Sequence, residues 1–162
     1  MKFRPSALVA VLGAVIAIAG VFMTWATGSF DYFLGTENLE FTGWDFINDE
    51  NLDDVADFDR VPGFTLLLSI VCLIISLVPM LTTNAYSKAL SVVTAITSGL
   101  LAVFQALFAG AISNGLKLFG FRVIESDPSI GLWLSMAGCI ILVIGSIINM
   151  LAKQTDAETT AE

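Results

Sequence analysis

The residues best equipped for chemistry lie in one acidic stretch. Asp49, Asn51, Asp53, Asp54, Asp57 and Asp59 offer hard oxygen ligands in close succession, the donor type that holds calcium. The stretch opens like a calcium loop with Asp49, Asn51 and Asp53. It then departs, because Asp54 stands where such a loop turns on glycine and Arg60 where it ends in a bidentate glutamate. A solvated acidic face is the simpler expectation.

Other chemistry is sparse. The chain has no histidine, which excludes Ser-His-Asp and Cys-His catalysis and histidine ligation of metal or haem. Two cysteines, Cys72 and Cys139, are too few for a four-cysteine metal site. They read as small apolar residues that could be neighbours in a core. A net charge of −8 opposes nucleic acid binding, which needs a basic face. No catalytic residue, cofactor or resident metal is expected. Gln105 is the most polar residue well inside an apolar window. An interhelical hydrogen bond is the expectation for it, ahead of a ligand contact.

The elements that would carry these residues are membrane helices. Of 162 residues, 56 % are hydrophobic and 14 % charged, against about 25 % charged in soluble domains. Mean hydropathy is +0.85, too apolar for a water-soluble fold of this size. Residues 5–30, 61–87, 89–116 and 128–152 contain no charged side chain. About 20 apolar residues cross a bilayer as a helix, so each window holds one span. The expected spans are 5–26, 62–81, 89–114 and 129–151, within a single transmembrane domain over 1–151. The outer loops are 27–61 and 115–128. Residues 152–162 read as a disordered acidic cytoplasmic tail. Lys2 and Arg4 flank the first helix and place both termini in the cytoplasm of a multi-pass cell-membrane protein.

Lipid is as apolar as leucine, so helices associate through small and polar residues. Ala10, Gly13, Ala17 and Gly20 form one stripe on the first helix. Ser98, Ala102, Ala106 and Gly110 recur every four residues on the third. Gly131, Gly138 and Gly145 recur every seven on the fourth, with Ser135 and Asn149 nearby. These stripes predict close packing, mainly within the bundle.

The first outer loop holds ten of the fifteen acidic residues, yet its pattern is structured. Residues 30–34 and 39–43 read as strands of a hairpin turning at 35–38, continued by Trp44, Asp45 and Phe46. Residues 48–59 suit a short capped helix. In the second loop, 116–123 alternates and carries Lys117 and Arg122. It is expected to join the acidic hairpin as a third strand.

This outline resembles the claudin-like, peripheral-myelin-type tetraspan superfamily, and also small four-helix membrane proteins of bacteria and archaea. Trp25 and Gly43-Trp44 stand near the spacing of the superfamily's early Trp and Gly-Leu-Trp motif, without the Leu. Arg60 matches an Arg opening the second helix, and Glu125, Gly131 and Trp133 loosely match the start of the fourth. The paired extracellular cysteines of the family are absent, and the first loop is shorter between Trp44 and Arg60. The resemblance implies an α-helical four-helix bundle with a small extracellular β-sheet, lateral homo-oligomers and cell-surface contact. Phe41, Trp44 and Phe121 are the aromatic interface candidates. The expected function is non-catalytic and structural, in contact with membrane lipid. An accessory subunit of a larger membrane complex and an oligomeric pore with a cation-favouring acidic mouth are the alternatives.

Overall fold

The computed structural model describes residues 5–32, 35–48, 60–81, 86–113, 117–118, 121–122 and 125–158. Helix α1 (Pro5–Val21) leads into strands β1 (Thr24–Tyr32) and β2 (Gly35–Thr42) and a short helix α2 (Asp45–Asn48). Two long helices follow, α3 (Val61–Leu81) and α4 (Tyr86–Ser113). Short strands β3 (Lys117–Leu118), β4 (Phe121–Arg122) and β5 (Glu125–Pro128) then precede helix α5 (Ile130–Glu158).

Three stretches are long and apolar enough to cross a membrane: Val61–Val78, Lys88–Ser113 and Ile130–Leu151. Helix α1 is apolar but has 17 residues. It stops well short of the expected end at residue 26, because the chain becomes strand at Thr24. Trp25 secures that stop. Its indole Nε1–H donates to the carbonyl oxygen of Gly20 at 2.8 Å, a helix-end acceptor that also takes the Met23 N–H at 3.2 Å.

The four long helices share one buried rhythm. The buried seam runs through 7, 10, 14, 17 and 21 on α1, with Gly13 and Gly20 buried beside it, and through 62, 65, 69, 72 and 76 on α3, with Val61 buried beside it. It runs through 91, 94, 98, 101, 105, 108 and 112 on α4, with Ala109 beside it, and through 132, 135, 139, 142, 146 and 149 on α5, with Gly131, Gly138 and Gly145 beside it. The steps alternate three and four. That is the seam of a left-handed bundle, since a 3.5-residue repeat on a 3.6-residue helix requires supercoiling. Sequential helices are neighbours, and α1 closes the ring against α5.

At one end of the bundle sits a three-stranded antiparallel sheet in the order β2-β1-β5. Its composition differs from the expectation in four respects. The hairpin pairs Tyr32 with Gly35, so residues 35–38, read as the turn, belong to β2. The third strand is Glu125–Pro128, which pairs with β1. Lys117–Leu118 pairs instead with Phe121–Arg122, so the basic segment does not join the acidic hairpin. Residues 44–46 do not extend β2 either, because Asp45 begins α2. There the Thr42 hydroxyl donates to the Asp45 carboxylate at 2.7 Å and accepts from the Asp45 N–H at 3.1 Å. The same carboxylate accepts from the Thr42 N–H at 2.7 Å. A reciprocal cap of this kind opens a helical turn.

At the opposite end α5 runs on to Glu158, through residues expected to be a disordered tail. Ala152, Lys153, Gln154, Ala157 and Glu158 are strong helix formers, and extending a formed helix costs no new nucleation.

Candidate functional site

Gln105 lies in the middle of α4 and is completely buried. Its Nε2 donates to Thr65 Oγ1 of α3 at 3.2 Å and to Ser135 Oγ of α5 at 3.1 Å. The Ser135 hydroxyl donates in turn to the carbonyl oxygen of Ala17 on α1 at 3.0 Å. One network therefore ties together all four long helices. The interhelical bond expected of Gln105 is present. Thr65 was not singled out in the sequence, although its place three residues after Pro62 and four before Ser69 marks the buried seam.

The two glycine-bearing stripes meet each other. A Cβ on Gly13 would stand 2.5 Å from the Leu142 backbone nitrogen, and one on Gly145 at 2.5 Å from that of Ala10. One on Gly20 would stand 2.6 Å from the Ser135 nitrogen, and one on Gly138 would overlap the Ala17 backbone. The opposing positions rise on α1 as they fall on α5, so the helices are antiparallel and touch backbone to backbone. Only residues without side-chain bulk permit that approach. The α4 stripe behaves differently. Ser98 is buried and donates to the carbonyl oxygen of Thr94 at 2.6 Å. Ala102 is half-buried, whereas Ala106 and Gly110 are exposed. A four-residue repeat drifts around the helix, while the buried seam follows alternating threes and fours.

At the sheet end the bundle is closed by an aromatic plug. Trp25, Phe46 and Phe108 are buried with Val21, Val61, Ile112 and Leu132, and Phe41 packs against them. Phe46 meets Phe108 edge-on at 5.5 Å, and Trp25 lies 5.8 Å from Phe108. Trp25 reaches this plug through a bulge. Thr24 pairs with Thr42 and Ala26 with Phe41, leaving Trp25 as the extra residue. A bulge redirects a side chain in this way, which explains how Trp25 and Ala26 are both fully buried. Gly43 is pressed against this corner, since a Cβ there would lie 2.5 Å from the Val21 carbonyl oxygen. Ser126 on β5 donates to the carbonyl oxygen of Ile112, and the Ser129 N–H to that of Trp25 at 2.8 Å.

The aromatic interface candidates separate accordingly. Phe41 is half-buried and lies 6.0 Å from Phe46 in a tilted pair. Trp44 is exposed and lies 5.5 Å from Phe22 in a stacked pair. Of Phe121 only the backbone, in β4, is described. With Phe22, Met23, Phe64 and Trp133, Trp44 belongs to a set of exposed apolar side chains near the sheet end. The calcium candidates Asp49, Asn51, Asp53, Asp54, Asp57 and Asp59, and the helix expected through them, fall outside the described residues.

A mostly helical chain with three helices able to cross a membrane and a small three-stranded sheet is the class that these features define. The long apolar helices suggest a membrane protein. No protein-family model matches the chain, and no curated protein matches it in sequence.

Proposed function

We propose that the chain is a four-span cell-membrane protein of claudin-like architecture, acting without catalysis by lateral self-assembly and by presenting its sheet at the cell surface. The observation that carries self-assembly is the outward α4 stripe. Ala106 and Gly110 are exposed, so a second helix could approach α4 there as closely as α1 approaches α5. In lipid, such packing is what drives helix association. The sheet supports the presenting role, because strands from both loops are hydrogen-bonded into the helix ends and form one rigid head.

The fourth span is supported by the partner of α1. From Ala10 to Gly20, α1 lies against α5 between Gly145 and Gly131, within the stretch of α5 suited to crossing a membrane. A helix pressed against a spanning helix over that length shares its slab. Seventeen residues sit at the lower limit for a span.

Native mass spectrometry of the full chain from mild detergent tests the assembly. A defined oligomer is expected for the wild type, and a folded monomer for Ala106→Leu combined with Gly110→Leu. A wild-type monomer, or an oligomer indifferent to both substitutions, would overturn the reading. Stoichiometric co-purification with other membrane chains would favour an accessory subunit.

A further inference from the structure

The interior of the bundle is polar to an extent that packing alone does not require. On α3 the buried seam holds Thr65, Ser69 and Ser76. On α4 it holds Ser91, Thr94, Ser98 and Gln105, and on α5 Ser135, Ser146 and Asn149. Helix α1 contributes Ala7, Ala10, Ala14 and Ala17, which leaves the polar groups facing one another rather than capped by bulk. Polar positions lie at both levels of the seam, Asn149 and Ser91, bonded at 2.8 Å, at one end and the Gln105 network at the other, with the buried layers of Cys72 and Leu142 and of Leu101 and Cys139 between them.

Several hydroxyl protons of this seam are spent on backbone carbonyls. Thr94 donates its hydroxyl proton to the carbonyl oxygen of Leu90 at 2.9 Å, and Ser98 to that of Thr94 at 2.6 Å. Ser135 donates to Ala17. Both Gln105 Nε2 bonds point at hydroxyl oxygens. The Gln105 Nε2 donors are thereby used, which leaves its Oε1 to accept, while the Ser69 hydroxyl can both donate and accept. Two atoms show the shortfall directly. Among the described residues, Gln105 Oε1 and Ser69 Oγ are fully buried with no hydrogen-bond partner in the protein. Thr65, bonded to Gln105, lies one turn from Ser69 on the same face of α3, so the two atoms belong to adjacent layers.

The far end of the seam opens into a small cavity lined by Ser76, Ser91, Thr94, Ser146 and Asn149 together with Ala10. Its volume of about 10 Å³ is the least that holds one water. The sheet end is shut by Trp25, Phe46 and Phe108.

We propose that the bundle encloses a blind hydrated track, in which water enters at the Asn149 cavity and reaches Gln105 Oε1 and Ser69 Oγ. Water is the ligand class that fits. It supplies two donors in the smallest volume, and polar cavities of this kind hold it. A cation would also suit acceptors, but the seam contains no charged side chain, and an unpaired charge at this depth is costly. Hydration matches a polar lining that the aromatic plug keeps from leaking through. It is independent of whether the chain self-assembles.

The two cysteines make the test internal. Cys72 and Cys139 lie on the buried seam, the Cys139 thiol beside Gln105, and no other cysteine exists. The S–H stretch absorbs where other protein groups do not. The full chain, reconstituted in lipid nanodiscs, is transferred to D2O while infrared spectra follow the backbone amides and the growth of the S–D band, which lies clear of the O–D stretch of the solvent. Cys72→Ala supplies the Cys139 signal alone. The Cys139 S–H is expected to exchange well before the core helix amides. Thr94→Val with Ser98→Val, which lines the track with methyl groups, is expected to slow that exchange roughly tenfold or more. Circular dichroism confirms that this variant is folded. A Cys139 thiol that exchanges only with the core amides would mean a dry interior and overturn the proposal. Fast exchange unaffected by the valines in a folded variant would overturn the route.

Discussion

Single residues decide how near α1 comes to α5. Gly138 and Gly99 are both helical glycines, yet their surroundings are opposite. A methyl group on Gly138 would enter the Ala17 backbone, while one on Gly99 would find its nearest neighbour, a Val143 methyl, at 4.0 Å. Gly138→Ala is therefore expected to destabilise the fold by about 1–3 kcal/mol through overpacking. Gly99→Ala is expected to be neutral or to stabilise by up to about 1 kcal/mol, the helix-propensity gain. Thermal unfolding of both variants in one detergent checks the contrast, and equal shifts would contradict it. The Gly13, Ala17, Gly138 and Gly145 stripes were legible in the sequence because small residues recur at one helical face. Their mutual pairing was not, since periodicity on one helix does not say which other helix answers it.

Among the elements, β1 carries the most consequence. It is the central strand of the sheet, and its bulge delivers Trp25 into the bundle, where the indole holds the end of α1. Trp25→Phe removes that hydrogen bond and part of the plug. The expected loss is about 1–3 kcal/mol. The expected readout is faster amide exchange across β1, β5 and the plug ends of α4 and α5, with the helix ends remote from the sheet little changed. Uniform acceleration over all helices would show instead that Trp25 supports the whole bundle equally. The hairpin was foreseeable from alternation, but its register was not. Thr24–Thr27 could equally have continued the helix by apolarity alone, and only the paired strands opposite it make the extended form worthwhile. The third strand went to Glu125–Pro128 because the chain must enter α5 beside β1, where the Ser129 N–H bonds Trp25.

For the whole molecule, the decisive quantity is the number of crossings. Four spans put both ends of the chain on one side of the membrane, and three put them on opposite sides. Tags at Met1 and Glu162 are expected to be protease-accessible together in inside-out vesicles and protected together in right-side-out ones. Opposite accessibility would remove α1 from the spanning set. The charge pattern alone is a weak guide, since positive residues are few and spread along the chain. The antiparallel seat of α1 on α5 is the stronger argument, because it is a packing constraint rather than a bias.

Composition by itself pointed to a membrane protein, and the three helices long and apolar enough to cross a bilayer suggest the same. It also determined which chemistries are absent, since side chains that do not exist cannot act. The tertiary structure decided what the polar residues inside the windows mean. Thr65, Ser69, Ser76, Ser91, Thr94 and Ser146 attract no attention one at a time, and Ser98, Ser135 and Asn149 stand out only as small or polar members of packing stripes. In a lipid environment, however, the polar stripe rather than the apolar one turns inward, and three helices turn theirs toward a common axis. That convergence depends on supercoiling, on α1 approaching through glycine, and on Trp25 closing the end. Each of these is a relation between distant segments, which no local pattern contains.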